Sequence, residues 1–272
     1  MSEENIIFVM LEGKHDAAVL TRLLRDNGYS NFTDKKIKQF PTALQGYFQS
    51  KIEGFVYEDE ANIWQKPQLP KYICKEKQGS RWFVFYEMGG DSSSKSMKAL
   101  LQPFQEKKSE LTTSFGFAQP SVSALFFFDA DNDLQARKKT FSQQYKDFIP
   151  SFSEEVLHSS QEQKAIFKAG VDGFRSIGLF VYNLRGTLED IVVPLMQQGQ
   201  EDHFANATSY LDHYLTDPAS SNYKKALIGV VGQPKNPGRA NQSILADTKM
   251  LNQEKFKKDE TFKGIVDFFQ KF

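Results

Sequence analysis

Apolar positions along this chain fall into two patterns, short unbroken runs and longer stretches with apolar residues at helical spacing. The unbroken runs are Ile6-Ile7-Phe8-Val9-Met10-Leu11, Trp82-Phe83-Val84-Phe85-Tyr86, Ala124-Leu125-Phe126-Phe127-Phe128 and Ile177-Gly178-Leu179-Phe180-Val181-Tyr182. Five or six apolar residues bounded by turn and charge signals read as strands buried on both faces, the kind found in a parallel sheet. Helical spacing appears at Val19, Leu20, Leu23 and Leu24, with Gly28 as a stop signal. It returns at Met97, Leu100, Leu101 and Phe104, at Phe141, Tyr145 and Phe148, and at Phe262, Ile265, Val266, Phe268 and Phe269. Further helices are expected from about Leu188, with Pro194 near the start, and around Phe204 to Leu215. Strands alternating with helices predict an α/β fold, with a mainly parallel core sheet of about four strands and helices on both faces.

One stretch breaks the alternation. Asn31 to Ser80 is too long for a connecting loop and carries the β-type pieces Gly54-Phe55-Val56-Tyr57 and Tyr72-Ile73-Cys74, with Pro67 and Pro70 between them. It is expected to be an inserted small β-containing subdomain or hairpin at about 31–80. The polar segment from about Pro150 to Asp172 is expected to be partly helical. The organisation predicted is a single domain over 1–272, with a C-terminal helical extension at about 200–272.

Composition narrows the function classes. With 272 residues, 40% hydrophobic and 25% charged, the chain can bury a sizeable core, and its 25 Phe are expected to serve packing. The formal net charge is +0, so any nucleic-acid partner has to meet a local patch. The basic runs Lys35-Lys36-Ile37-Lys38, Arg137-Lys138-Lys139 and Lys255-Phe256-Lys257-Lys258 are expected to be solvated faces rather than phosphate stripes. Cys74 is the single cysteine, which excludes an internal disulfide and a thiolate metal cluster. No apolar run approaches the ~18–20 residues of a membrane span, and Met1 to Asn5 lacks a signal-peptide pattern. A soluble, cytoplasmic protein with no membrane partner is expected.

The candidate chemistry lies directly behind the apolar runs. Glu12-Gly13-Lys14-His15-Asp16 follows the first, Asp129-Ala130-Asp131-Asn132-Asp133 the third, and Gly186-Thr187-Leu188-Glu189-Asp190 the fourth. A carboxylate after a parallel strand lies at the C-terminal edge of the sheet, where open α/β folds place ligands. Carboxylates that converge repel one another unless a hard cation neutralises them, which suits Mg²⁺ or Mn²⁺. If the strand end stays extended, Asp129 and Asp131 project to one side and both reach a cation. Asp129, Asp131, Asp133 and Glu189 are therefore the candidate metal ligands, with Glu12 as general acid or base and Gly13 allowing close substrate approach. Two of these signatures have plain structural readings: an Asx-rich turn at Asp129–Asp133, and a helix cap with Thr187 as N-cap and Asp190 reaching back to it. Asp16 suits the first turn of a helix by its charge. The four histidines form no His-x-x-x-His pair and are expected in surface or helix roles.

A strand ending in Glu12-Gly13, an intervening Gly89-Gly90-Asp91 turn, a strand ending in Asp129-Ala130-Asp131, then Asn183 with Gly186-Thr187-Leu188-Glu189-Asp190 and a late Lys225-Ala226 resemble the Toprim domain. That module is shared by topoisomerases, bacterial primases and OLD-type nucleases, and this pattern is similar to stand-alone Toprim-like proteins related to the last. The resemblance implies a Toprim-like fold and Mg²⁺-dependent cleavage or transfer of phosphodiesters on nucleic acid. It also implies Glu12 as acid/base, Asp129 and Asp131 on the metal, Glu189 completing the shell, and Lys225 near a phosphate. Lys14, Gly89 and Gly90 join Gly13 as candidate phosphate contacts. No ATPase domain precedes the unit and no tyrosine stands out as a topoisomerase nucleophile.

Two alternatives remain open. The chain can be a non-catalytic Toprim-like module that binds nucleic acid, a protein partner or a second copy of itself. Alternatively, Gly89-Gly90-Asp91-Ser92-Ser93-Ser94-Lys95-Ser96 nearly fits the phosphate-binding loop of nucleotide hydrolases, with Ser94 where a second glycine belongs.

Overall fold

The apolar runs become the centre of one sheet because each is apolar on both faces and can be satisfied only between two layers of helix. A computed structural model describes residues 4–56, 69–89, 94–102, 121–146, 164–167, 174–183 and 185–272 of the chain. Its strands are β1 (Asn5–Leu11), β2 (Tyr29–Asn31), β3 (Tyr72–Glu76), β4 (Arg81–Glu87), β5 (Ser121–Phe128), β6 (Lys164–Phe167) and β7 (Ser176–Val181). They form a seven-stranded sheet in the order β2-β3-β4-β1-β5-β7-β6. The four central strands run parallel, with Leu11 opposite both Glu87 and Phe127, and Phe128 opposite Val181. Their C-terminal ends consequently share one edge.

Side chains alternate between the faces as the period of two requires. Ile7, Val9 and Leu11 join Phe83, Phe85, Leu125, Phe127 and Phe180 on one face. That face is covered by α1 (Lys14–Asp26), α5 (Glu189–Gln197), α6 (Glu201–Leu211), α7 (Ser221–Gly232), α8 (Asn241–Asp247), α9 (Gln253–Lys258) and α10 (Glu260–Gln270). Ile6, Phe8 and Met10 join Trp82, Val84, Tyr86, Ala124, Phe126, Leu179 and Val181 on the other, under α2 (Thr42–Val56), α3 (Ser94–Leu101) and α4 (Leu134–Tyr145). The expected α/β architecture, with a mostly parallel sheet between helices, is what forms.

The antiparallel strands lie at the two edges, and here the structure departs from expectation. Residues 29–31 pair with 72–76, and 72–76 pair with β4, extending the main sheet rather than building a separate subdomain. Gly54-Phe55-Val56, read as β-type, belongs to α2, whose Leu44, Tyr47 and Phe48 pack on Phe8, Trp82 and Tyr86. Tertiary burial of this face overrides the local β-propensity. Lys164–Phe167, placed within a polar, partly helical stretch, is a strand against β7. The apolar run Ala226–Val231 lies in α7. Phe104, Phe148, and Gly90 to Ser93 of the phosphate-loop candidate lie outside the described residues.

Phenylalanines join sheet and C-terminal helix. Phe127 packs against Phe268 and Phe269 with ring centroids 5.7 and 5.3 Å away. This approach requires Gly178 in β7, where a Cβ would lie 2.6 Å from both Phe268 Cζ and Phe272 Cζ. We expect Gly178→Val to destabilise the fold by about 1–3 kcal/mol through overpacking, read from the midpoint of urea unfolding. An unchanged midpoint would show that α10 is not seated on β7 in this way.

Candidate functional site

Charge cannot be carried within strands buried on both faces, so it collects where they end. β1 hands over to Glu12, β5 to Asp129 and β7 to Tyr182, all on the shared edge. The chain then turns into α1 at Gly13, whose N–H donates to Asp16 Oδ2 at 2.8 Å. Asp16 is thereby folded back over the strand ends, and it is buried. After β7, Asn183 Nδ2 donates to Thr187 O at 3.0 Å, and Asp190 Oδ2 accepts from Thr187 N–H at 2.8 Å. This is the reach-back expected of a cap, although α5 begins with Leu188 rather than Thr187 as its N-cap. It delivers Glu189, also buried, to the same place.

The result is a cleft of about 360 Å³ lined by Glu12, Gly13, Lys14, His15, Asp16 and Asp129, and closed by Leu188, Glu189, Lys225 and Gln242. Its internal bonds cross between distant segments. Asp129 N–H donates to Glu12 Oε2 at 3.3 Å, and Leu188 N–H donates to Asp129 Oδ1 at 2.7 Å. His15 Nδ1 lies 2.7 Å from Glu189 Oε1. Arg137, in the first turn of α4, pairs with Glu12, approaches Asp131 Oδ2 at 3.2 Å, and donates through Nε to Asp129 O at 2.8 Å.

Crowding of like charges is visible in proton affinity. Burial, and then the neighbouring Asp16, Glu12 and Glu189 carboxylates, push Asp129 up to about 9 against the bond from Leu188. Asp16 is pushed up to about 7, first by burial and then by Glu12 and Glu189, while the Tyr182 phenol and Gly13 N–H pull the other way. Burial also works to raise Glu189, but the bond and charge of His15, with Lys225 behind them, outweigh it and hold the group below the usual carboxylate range. Tyr182 beneath the cleft is held well above the usual phenol range by burial and by Asp16 and Asp129, so it stays a hydrogen-bond donor.

The structure therefore brings together Glu12, Gly13, Lys14, Asp129, Glu189 and Lys225 among the residues expected from sequence, while Gly89 adjoins them by donating its N–H to Glu12 O at 3.0 Å. Asp131 and Asp133 are placed elsewhere. β5 ends at Phe128, and Asp131 adopts a left-handed φ of 52°, bridged to Gly186 through Asp131 N–H to Gly186 O at 3.0 Å. The extended alternation that would have aimed Asp131 alongside Asp129 is broken there. Gly186 has φ 98°, and a Cβ on it would lie 2.6 Å from Asp190 Oδ2, so only glycine fits this bridge. Asp133 caps α4, accepting from Gln135 N–H and Ala136 N–H at 2.8 and 3.0 Å.

Sequence reasoning assigned lesser roles to three residues that shape the cleft. Asp16 was expected only to complement a helix dipole, and its signal was its place three residues after Gly13. His15, expected in a surface or helix role, does lie in α1 but also pairs with Glu189 in the cleft. Arg137 was read as part of a solvated basic run, yet Arg137 and Lys138 are buried and only Lys139 is exposed. The run at Lys255 is likewise no phosphate stripe, because Lys255 Nζ donates to the carbonyls of Leu195, Gln198 and Met250, each at 2.7 Å.

The donor set suits a hard divalent cation. Carboxylates from three segments face one cleft, and oxygen ligands of this kind are those such an ion takes. Among the described residues, no three His, Cys, Asp or Glu stand close enough together to hold a metal ion.

These features define an α/β protein with an acidic cleft at the C-terminal edge of a parallel sheet. The chain belongs to the family described as "Protein of unknown function (DUF3226)", whose model matches residues 6–272. No curated protein and no solved structure matches it. Among the described residues no helix is long and apolar enough to cross a membrane.

The raised carboxyls set a pH dependence. Between the unfolded value near 4 and the folded values of about 7 and about 9, the folded state binds more protons than the unfolded state. Stability in ion-free buffer therefore falls as pH rises through this window. We expect Asp129→Asn to melt at least roughly 3 °C above wild type at pH 8 without divalent ions, and the gap to close near pH 4. Equal melting at pH 8 would show that Asp129 carries no such strain.

Proposed function

We propose that this protein is a divalent-cation-dependent phosphodiesterase acting on nucleic acid, built on a Toprim-like scaffold. The observation that carries the reading is the meeting of Asp16, Asp129 and Glu189, from segments far apart in sequence, in one cleft beside Glu12 and rimmed by Lys14 and Lys225. Burial, with repulsion from the neighbouring carboxylates added to it, raises the proton affinity of Asp129 and Asp16, and a doubly charged ion would relieve that repulsion.

Asp16, Asp129 and Glu189 would hold Mg²⁺ or Mn²⁺. When bound, the ion supplies neutralisation of negative charge on a phosphate oxygen. The chain's own groups provide the rest. Lys14 and Lys225 attract the phosphate to the cleft mouth, answering the acidic floor that would otherwise repel it. Glu12, held by Arg137 and by Asp129 N–H, is positioned as the group that takes a proton from the attacking water. Glu189 fixes the ring of His15 through Nδ1, presenting that ring to the cleft wall. Local positive charge in this rim, rather than net charge, is what a nucleic-acid partner would meet.

The test is cleavage of single- and double-stranded DNA and RNA with Mg²⁺ or Mn²⁺, comparing wild type with Asp129→Asn and Glu12→Gln. Wild type should cleave in a chelator-sensitive manner, and each variant should lose about 10²-fold or more in rate. Chelator-insensitive cleavage that is equal in all three proteins would remove the reading.

A further inference from the structure

Arg137 is held on four sides at the edge of the cleft. Its guanidinium pairs with Glu12 and lies 3.2 Å from Asp131 Oδ2, its Nε donates to Asp129 O at 2.8 Å, and it sits 5.0 Å over the Phe128 ring. It is 7% exposed, against 15% for Glu12 and 54% for Asp131. A planar donor fork that contacts three oxygen partners and an aromatic face has little freedom to swing away. Breaking a pair of this kind leaves an uncompensated charge in a partly buried place, which is costly.

The acidic edge is consequently divided in two. Arg137 takes Glu12 and Asp131, while Asp16, Asp129 and Glu189 are left to the cleft without a guanidinium of their own among their described contacts. We propose that Arg137 is a positioning residue that acts as a resident cation: it withholds Glu12 from a divalent ion in the cleft, leaving Asp16, Asp129 and Glu189 as the carboxylates that ligate it. This rests on the cation-dependent reading above and adds a separate claim about which carboxylates ligate. An arginine that never deprotonates holds Glu12 without itself titrating.

The two cations compete for one carboxylate, so their binding is coupled, and a coupling of this kind is reciprocal. Removing the guanidinium should let Glu12 join the ion. The experiment is a Mn²⁺ titration by calorimetry on the full chain, comparing wild type, Glu12→Gln, Arg137→Gln and the double variant. Arg137→Lys is run in parallel, since it keeps the charge near the site but cannot contact all three oxygens at once.

We expect Glu12→Gln alone to change Mn²⁺ affinity by less than about twofold, and Arg137→Gln to tighten it roughly fivefold or more, a gain erased in the double variant. Arg137→Lys should show a smaller gain that Glu12→Gln also erases. Lys225→Gln removes a rim charge without freeing Glu12, so any gain it brings should survive Glu12→Gln. If Glu12→Gln weakens Mn²⁺ binding equally with and without Arg137, Glu12 is an ordinary ligand and the positioning role is overturned while the cation-dependent reading stands. If wild type shows no binding but Arg137→Gln does, the withholding role stands and the native cation dependence falls. If neither protein takes up Mn²⁺, both fall.

Discussion

A sheet buried on both faces leaves its charged residues nowhere to go but the strand ends, and this constraint organises the molecule. In β1, β4, β5 and β7 the interior positions are almost all apolar, Ser123 being an exception, so each strand contributes hydrophobic area to both helical layers. Parallel pairing then places all four C-terminal ends on one edge. Glu12 and Asp129 arrive there because the strands that carry them are immediate neighbours, in a register that sets Leu11 opposite Phe127. The two helix starts that follow bring Asp16 and Glu189 over the same edge.

Negative charge gathered this way has to be answered, and the protein answers it three times. Arg137 binds Glu12 and Asp131, His15 binds Glu189, and protons remain on Asp129 and Asp16 well above the usual carboxylate range. The first two are fixed by the fold. The third is exchangeable, and the proposed cation would take the place of those protons. The raised proton affinities and the cleft thus have one cause, burial of like charges at a shared sheet edge. Asp16 and Glu189 are both buried in this cleft, beside Lys14 and Lys225.

Legibility in the sequence followed the range of the interaction involved. The four core strands could be read directly, because an apolar run of five or six residues has few other uses, and α1 and α10 followed from period and stop signals. Of the antiparallel strands, β3 was legible in Tyr72-Ile73-Cys74, while β2 and β6 were not. Lys164–Phe167 is too short for a period to show, and Gly54-Phe55-Val56 has β-type composition yet lies in α2, whose preceding turns are anchored on Phe8, Trp82 and Tyr86. At the cleft, Glu12, Asp129 and Glu189 were visible because each directly follows an apolar run or its turn. Asp131 and Asp133 looked equivalent to Asp129, but a left-handed residue and a helix cap gave them different tasks.

What the chain determined by itself was the layered α/β architecture and the expectation of acidic strand ends on one edge, since both depend on local patterning and on where burial forbids charge. Tertiary structure alone decided which carboxylates share the cleft and which are claimed by Arg137. That choice depends on the turn after β5 and on a guanidinium 125 residues from Glu12. Ion pairing of this kind is set by distances through space, to which hydrophobic periodicity along the chain is blind.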